Sequence, residues 1–198
     1  MNAVIFDYGA GNLHSLAKAL ARTGATVRVE SDPAAAVSGD ILVLPGVGAF
    51  GSAAARLAPG LGSIRGAIQG GLPCLGICLG MQLLFEESEE GSGEGLGVLR
   101  GRVTRLRAGR IPQIGWNELD DNRDSLALAA QLHTGYFANG FVCRAADEEI
   151  VTAWSEHEGD VFPAIVRLGN IVGTQFHPEK SSQPGLRFIE AFVEECSG

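Results

Sequence analysis

A cysteine between two glycines, in Gly76-Ile77-Cys78-Leu79-Gly80, limits the possible folds of this chain more than any other feature. The apolar run from Leu72 to Ile77 precedes the cysteine, and helix-like residues from Met81 to Phe85 follow it. This pattern predicts a tight turn from a strand into a helix, because residues two positions either side of such a turn must lack a Cβ. The turn presses the sulfur outward at a helix N-terminus, where unpaired N–H groups favour a thiolate. We therefore expect Cys78 to attack a carbonyl, with the N–H of Leu79 directed at the oxyanion.

Short apolar runs alternate with amphipathic stretches on the N-terminal side of this turn. We predict a helix from Leu13 to Arg22 and strands at Ala3 to Phe6, Thr26 to Val29, Ile41 to Leu44 and Pro73 to Ile77. Short strands joined by helices indicate an α/β fold, in which a mainly parallel central sheet has helices on both faces.

The pattern changes after the turn. Two regions, Leu96 to Leu119 and Gly135 to Gln175, contain short apolar runs with little helical periodicity, such as Val98 to Val103 and Phe162 to Val166. We interpret these regions as an antiparallel set of strands added to the parallel core.

Three further segments have simpler interpretations. Glu86 to Gly97 is acidic and rich in glycine, so we expect a solvated loop with no chemistry of its own. Ser125 to Gln131 is expected to form a short helix. The chain closes with an amphipathic helix, and Cys196 lies on its apolar face.

Composition indicates one domain spanning residues 1–198. A chain of 198 residues is shorter than those in which the hydrophobic core usually divides into two, and its 45% hydrophobic residues can fill one sizeable core. The net charge of −8 and the lack of a basic stripe argue against nucleic acid or an anionic membrane as a partner.

The four cysteines lack disulfide-framework spacing, and the N-terminal residues do not form a secretory leader, so a cytoplasmic location is expected. Cys74 and Cys78 lack a second ligand pair, and we expect no metal or cofactor.

A nucleophilic cysteine needs a base, and the base needs an orienting group. His177 follows the apolar run Ile171 to Phe176 and opens His177-Pro178-Glu179. Residues i and i+2 of an extended segment share a face, so Glu179 is expected to reach the imidazole. A lone apolar cysteine is more often a core residue, but this spacing and the flanking glycines favour a Cys78–His177–Glu179 triad.

A second oxyanion donor is expected in the loop Pro45 to Gly51, which follows the strand Ile41 to Leu44. The loop would lie at the carboxyl edge of the sheet, where α/β folds bind ligands and where the cysteine turn also lies. A plain strand-to-helix turn is the alternative interpretation.

These residues resemble a known family. Gly76 to Gln82 and the downstream segment Thr174 to Ser181 are similar to class I glutamine amidotransferases, which hydrolyse the side-chain amide of glutamine and transfer ammonia. Further motifs narrow the resemblance to glutaminase subunits of imidazole glycerol phosphate synthase, an enzyme of histidine biosynthesis; they are Asp7 to Leu13, Pro45 to Gly51, Pro112 to Asn117 and Gly173 to Ser181. The resemblance implies a three-layer, flavodoxin-like fold.

The resemblance also implies roles for individual positions. Cys78 would be the nucleophile, His177 the base and then the acid, and Glu179 the group that orients His177. Four positions would bind glutamine or its oxyanion: Val47, Gly48, Leu79 and Gln82.

The family partner is a (β/α)₈ cyclase, which forms a heterodimer with the glutaminase and receives ammonia through its barrel. Trp116 and Lys180 match positions near that interface. In the family, the oxyanion loop is thought to rearrange when the partner is engaged. Independently, no phosphate-cradling loop or second domain remains in this sequence to bind an ammonia acceptor, which favours a partner chain.

Other interpretations stay open at the level of sequence. They are a glutaminase subunit for anthranilate or pyridoxal phosphate synthesis, a cysteine hydrolase on a related α/β scaffold, and a binding module that has lost catalysis. An anthranilate-type subunit would be expected to carry His at the position of Met81. Ala138-Asn139-Gly140 and Gln113 depart from the family pattern, and both differences are expected to alter how the interface signals to the active site.

Overall fold

The computed structural model describes residues 1–9 and 13–198. The strands are β1 (Asn2–Phe6), β2 (Thr26–Glu30), β3 (Ile41–Leu44), β4 (Cys74–Ile77), β5 (Glu87–Ser88), β6 (Gly101–Arg105), β7 (Gln113–Glu118), β8 (Thr134–Asn139), β9 (Phe141–Ala145), β10 (Val151–His157), β11 (Asp160–Leu168) and β12 (Ile171–Thr174). The α-helices are α1 (His14–Ala21), α2 (Pro33–Ala36), α3 (Phe50–Leu57), α4 (Leu61–Gln69), α5 (Leu79–Leu84), α6 (Ser125–Ala129) and α7 (Ser182–Glu195). Single 3₁₀ turns lie at Ala58–Gly60, Glu148–Ile150 and Pro178–Lys180. Part of the motif from Asp7 to Leu13, residues 10–12, lies outside the described residues.

The central sheet has seven strands in the order β10-β11-β12-β4-β3-β1-β2. The five strands from β12 to β2 are parallel, and β11 and β10 extend the sheet in antiparallel pairs. The parallel order 2-1-3-4, followed by a final strand, is the flavodoxin-like order. The mainly parallel core and the added antiparallel strands therefore agree with the sequence prediction, except that β12, from the region predicted as antiparallel, pairs with β4 in parallel and belongs to the core.

Helices cover both faces of the sheet, because its inner strands are apolar on both sides. In β3, Val43 packs with α1, α6 and α7, whereas Leu42 and Leu44 pack with α2 to α5. Phe188 and Phe192 of α7 are buried in the first of these layers. The chain therefore forms three layers, and the carboxyl ends of β1, β3, β4 and β12 meet at one edge of the parallel sheet.

Two small sheets lie beside the main one. β5, β6 and β9 form one, and β7 pairs with β8 to form the other. In the second hairpin, Gln113 opposes Asn139 and Trp116 opposes Tyr136. Except for β5, which precedes these regions and pairs with β6 in parallel, the strands of both small sheets belong to the regions predicted as antiparallel.

Two local predictions were wrong. The segment from Val98 to Arg100 is not a strand, because β6 begins only at Gly101, where its pairing with β9 starts. The segment from Glu86 to Gly97 is not wholly a solvated loop, since Leu96 is fully buried and Glu87–Ser88 pairs with β6. Helices α3 and α4 were not predicted, although the buried residues of α3 follow the i, i+3, i+4, i+7 spacing of a helix; they are Phe50, Ala53, Ala54 and Leu57.

Within the described ranges, no helix combines the length and apolar character needed to cross a membrane. Likewise, no group of three or more His, Cys, Asp or Glu side chains among those residues is arranged to hold a metal ion.

Candidate active site

The turn at Cys78 joins β4 to α5, and residues 74–80 are all buried. Cys78 has a φ of 49°, in the left-handed region that a residue with a side chain rarely adopts. A Cβ on Gly80 would lie 2.0 Å from the Leu44 carbonyl oxygen, and one on Gly76 would lie 2.7 Å from the Gly80 oxygen. Both glycines are therefore required for the chain to make this turn, as the sequence predicts.

Backbone hydrogen bonds fix Cys78 between neighbouring elements. Its N–H donates to the Thr174 carbonyl at 2.6 Å, and its carbonyl accepts from the Gln82 N–H at 3.1 Å. Thr174 ends β12, which pairs with β4 through the Thr174 and Ile77 positions. This parallel register carries the segment after β12, with His177, to the same edge as the cysteine.

His177 is 1% exposed, and its Nδ1 lies 2.9 Å from Oε1 of Glu179. The reason for this contact differs from the predicted one. Glu179 lies in the 3₁₀ turn Pro178–Lys180 and not on an extended segment, so the turn itself brings the carboxylate back to the imidazole. His177 keeps an extended backbone, with φ −98° and ψ 98°. The turn therefore aims the carboxylate at Nδ1 and leaves Nε2 for another partner.

The electrostatics of His177 link it to Cys78. Burial lowers the pKa of His177, but hydrogen bonds and charge interactions with Cys78 and Glu179 outweigh burial and raise that pKa from 6.5 to about 9. Nε2 makes no hydrogen bond of normal geometry to a described residue, and the interaction with Cys78 is one of the causes of the raised pKa. The raised pKa favours the protonated imidazolium form of His177 at neutral pH.

A cavity of about 220 Å³ opens beside the sulfur. The expected binding positions line it together with Cys78: Val47, Gly48, Leu79 and Gln82. This volume is below the roughly 300–1,000 Å³ of sites for drug-sized ligands. The cavity therefore suits a small metabolite.

The loop after β3 borders both Cys78 and His177. A Cβ on Gly46 would lie 2.6 Å from the Ile77 carbonyl oxygen, and also 3.0 Å from Cε1 of His177 and 3.1 Å from Cβ of Cys78, so only glycine fits there. The Tyr8 hydroxyl donates to the Pro45 carbonyl at the start of the loop. Burial, followed by charge interaction with Cys78, raises the pKa of Tyr8 well above its usual value, which keeps the hydroxyl protonated.

Three residues at the site were given no role by sequence reasoning. Glu90 lines the cavity, and its Oε2 accepts from the Phe50 N–H at 2.9 Å. Asn139 lines the cavity too, and its buried Oδ1 has no partner among the described residues. Gln175 is fully buried, and its Nε2 lies 3.4 Å from the Cys78 sulfur. The contacts of Glu90 and Gln175 join residues 40 and 97 positions apart, so no local sequence pattern predicts them. The acidic run around Glu90 was recognised, but not its contact with this site.

Trp116 and Lys180 lie on the outer surface. Trp116 is 53% exposed beside Ile114, which is 68% exposed. The Trp116 ring meets Tyr136 edge to face at 6.2 Å, and the Tyr136 carbonyl accepts from the His177 N–H at 2.8 Å. Tyr136 therefore connects the exposed aromatic surface to the histidine backbone.

A second cavity, of about 170 Å³, lies on the other side of the loop. Lys180, His177 and Glu179 contribute to its lining, and it shares Gly46 and Val47 with the first cavity. The Gly46–Val47 segment therefore separates a cavity at the sulfur from one beside the exposed Lys180.

Comparisons with known proteins agree on the family. The sequence profile of the family described as glutamine amidotransferase class-I matches residues 4–196. Subunit HisH of imidazole glycerol phosphate synthase from Bacillus licheniformis is 46% identical, over 96% of this chain and 94% of the relative. The corresponding subunit from Thermus thermophilus is 43% identical, over 96% of this chain and 95% of the relative. These relatives confirm the resemblance drawn from the sequence motifs.

Solved structures support the same fold. A crystal structure of a glutamine amidotransferase matches with a TM-score of 0.77 at 23% identity, and the match covers 99% of each chain. The structure of PurLQS from Thermotoga maritima matches with a TM-score of 0.71 at 21% identity, over 98% of each chain. At such identities the likeness concerns the fold alone, and it confirms the predicted three-layer architecture.

Proposed function

Because this chain belongs to the class-I glutamine amidotransferase family, in the group of HisH subunits, we propose that Cys78, His177 and Glu179 hydrolyse glutamine to glutamate and ammonia. The observation that carries this assignment is the site itself. A strained Cys78 meets a His177 whose pKa is raised to about 9, and Glu179 holds the far side of the imidazole. This is the arrangement that an activated thiolate nucleophile requires.

The first half of the reaction forms a thioester. The Cys78 thiolate attacks the amide carbon of glutamine, and the carbonyl oxygen becomes an oxyanion. The N–H groups of Leu79 and Gly48, both at the cavity, stabilise that charge. Nε2 of His177 then gives its proton to the departing nitrogen, the C–N bond breaks, and ammonia leaves.

The second half releases glutamate. His177, now neutral, takes a proton from water as the water oxygen attacks the thioester carbon. The C–S bond breaks and its electron pair returns to the Cys78 sulfur. Glu179 keeps Nδ1 protonated and the ring oriented through both halves. One water is consumed for each glutamine, and the imidazolium and thiolate are restored.

The polar lining of the cavity suits the other groups of glutamine. Glu90 carries the opposite charge to the substrate ammonium, and Asn139 Oδ1 is a buried acceptor with no partner among the described residues. We assign the ammonium to these two groups. Gln82 donates its Nε2 to the Phe141 carbonyl, so its Oε1 is assigned to the substrate amide.

The ammonia formed at Cys78 needs an acceptor site, and we assign that site to a cyclase subunit in a heterodimer. The exposed Trp116 and Lys180 are assigned to this interface, and the cavity beside Lys180 to the path of ammonia. Contact at this face would act on the Val47–Gly48 donor through the shared Gly46–Val47 segment and so raise the glutaminase rate allosterically. Residues 1–198 then serve as one glutaminase domain. The four cysteines are unpaired, which supports a cytoplasmic location.

Glutamate release from glutamine tests the function directly. It is measured with the chain alone, with a candidate cyclase, and with the cyclase and its phosphorylated ribonucleotide ligand. We expect a low rate alone and a steep rise with both. Cys78→Ala is expected to remove release, by about 10⁴-fold or more, while partner binding remains. Cys196→Ser is the matched control, because Cys196 does not line the cavity. Normal release by Cys78→Ala would refute the triad, and equal rates with and without the cyclase would refute the coupling.

A further inference from the structure

The Gln175 side chain contacts the Cys78 sulfur and has no part in the reaction described above. The residue follows β12 directly, and its side chain is 0% exposed. Its backbone N–H donates to the Ala164 carbonyl at 2.9 Å, which fixes its position against β11. Its Nε2 points at Sγ of Cys78 from 3.4 Å. A buried amide N–H held against sulfur stabilises a thiolate more than a thiol, because a charged acceptor strengthens the hydrogen bond.

The orientation of the Gln175 amide is set by its other neighbour. Nε2 of Gln82 donates to Oε1 of Gln175 at 3.4 Å and to the Phe141 carbonyl at 3.1 Å. A reversed Gln175 amide would place NH₂ against NH₂ and its oxygen against the sulfur. Both contacts are unfavourable for a thiolate, so the Gln82 donor holds Gln175 with its N–H toward Cys78.

We infer that Gln175 is a further catalytic residue of this site, a hydrogen-bond donor that holds negative charge on Cys78 and is oriented by Gln82. The inference rests on the proposed function only in taking Cys78 as the nucleophile. Gln175 acts at each step of the reaction in which the sulfur carries negative charge. It stabilises the thiolate before attack, and it stabilises the sulfur again when the C–S bond of the thioester breaks and the electron pair returns to Sγ.

This role differs from that of His177. The imidazole must release its proton to the leaving nitrogen, so its support of the thiolate ends during the reaction. The amide of Gln175 does not titrate, and its N–H remains in place throughout. Because Gln82 also lines the cavity, the same pair joins the substrate site to the sulfur.

The test uses Gln175→Met, which keeps the length and bulk of the side chain but has no N–H, and Gln175→Glu, which keeps the shape and replaces the donor by an acceptor. The rate of Cys78 alkylation by iodoacetamide is measured against pH, in a background where Cys196 is Ser. We expect the thiolate limb of the profile to move to higher pH in both variants, further in Gln175→Glu. In glutamate release with the cyclase present, kcat should fall about 10- to 100-fold, in line with one charge-assisted hydrogen bond, and KM should change little.

Two further measurements separate a catalytic role from a structural one. Thermal unfolding reports whether the variants fold, and a purely structural role would lower kcat together with the melting temperature while the alkylation profile stayed unchanged. In the wild-type chain, the side-chain amide protons of Gln175 should shift in NMR spectra over the pH range in which Cys78 titrates. An unchanged alkylation profile in the folded variants, or no such shift in the wild-type chain, would overturn the inference.

Failure of the proposed function would look different. If the wild-type chain released no glutamate with any cyclase but the alkylation profile still moved in Gln175→Met, the role of Gln175 toward the thiolate would stand. The glutaminase assignment alone would then be wrong.

Discussion

The cysteine turn and the loop beside it are built in opposite ways. Residues 74–80, which contain the turn, are all buried, and a Cβ on Gly80 would overlap the Leu44 carbonyl. Among the described residues, side-chain hydrogen bonds hold the loop near its ends, from Tyr8 to Pro45 and from Phe50 to Glu90, while Gly48 between them is exposed. The core therefore fixes the position of the proposed nucleophile, and we propose that the oxyanion donor at Val47–Gly48 responds to a partner.

The largest effect is expected when the turn itself is broken. In Gly80→Ala, the new Cβ would lie 2.0 Å from the carbonyl oxygen and 2.6 Å from the carbonyl carbon of Leu44, and these backbone atoms of β3 cannot move aside. We expect a loss of about 3 kcal/mol or more in the free energy of unfolding and loss of glutamate release with or without the partner.

Gly66→Ala is the matched control for this substitution. Gly66 lies exposed in α4, and a Cβ there has no neighbour within 4 Å outside the helix's own backbone. Because alanine is the better helix former, this variant should gain about 0.5–1 kcal/mol and keep its activity. Similar denaturation midpoints for the two variants would contradict the close packing described for the turn.

A smaller effect is expected at Glu179, which belongs to neither the turn nor the loop. Glu179→Gln removes one of the interactions that raise the pKa of His177, so that pKa should fall below about 9. The imidazolium is then lost at lower pH, and the alkaline limb of kcat/KM should move in the same direction. We expect kcat to fall about 10²- to 10⁴-fold, as when other catalytic histidines lose their orienting carboxylate.

The check on Glu179→Gln is a titration of the His177 ring nitrogens by NMR, run beside the kinetic pH profile. The ratio of partner-stimulated to basal glutamate release should stay the same, because the substitution does not change the loop. An unchanged pKa would show that Glu179 does not contribute to the charge on the imidazole.

The smallest effect is expected at the loop. Tyr8→Phe leaves the buried Pro45 carbonyl without its donor, at a cost of about 1–3 kcal/mol in the free energy of unfolding. The turn is unaffected, so alkylation of Cys78 should proceed at the wild-type rate. The ratio of partner-stimulated to basal glutamate release should fall several-fold, because the loop loses the contact that defines its resting position. An unchanged ratio would mean that Tyr8 does not anchor the loop.

The same contrast explains what could be predicted from the sequence. The turn could be predicted from the sequence because it depends on neighbouring residues alone: Gly76, Cys78 and Gly80 must occupy fixed positions around one strand end. The pairing of His177 with Glu179 was found for a partly wrong reason, since a 3₁₀ turn and not a shared strand face brings them together.

The residues that were missed reach the site through long-range structure. Gln175 meets the Cys78 sulfur because β12 pairs with β4 across nearly a hundred positions of sequence. Glu90 reaches the cavity only after the acidic segment folds back along α3, where it accepts from Phe50. Neither contact follows from periodicity or spacing, because strand register between distant segments is set by packing of the whole sheet.

We propose that Cys78 is already reactive in the isolated chain and that only the oxyanion support depends on the partner. The most direct test is the rate of Cys78 alkylation by iodoacetamide, measured with and without the cyclase and its ribonucleotide ligand under conditions in which glutamate release is stimulated. We predict an alkylation rate that changes little while glutamate release rises steeply. An alkylation rate that rises in proportion to glutamate release would show that the partner activates the nucleophile itself, and would contradict the account.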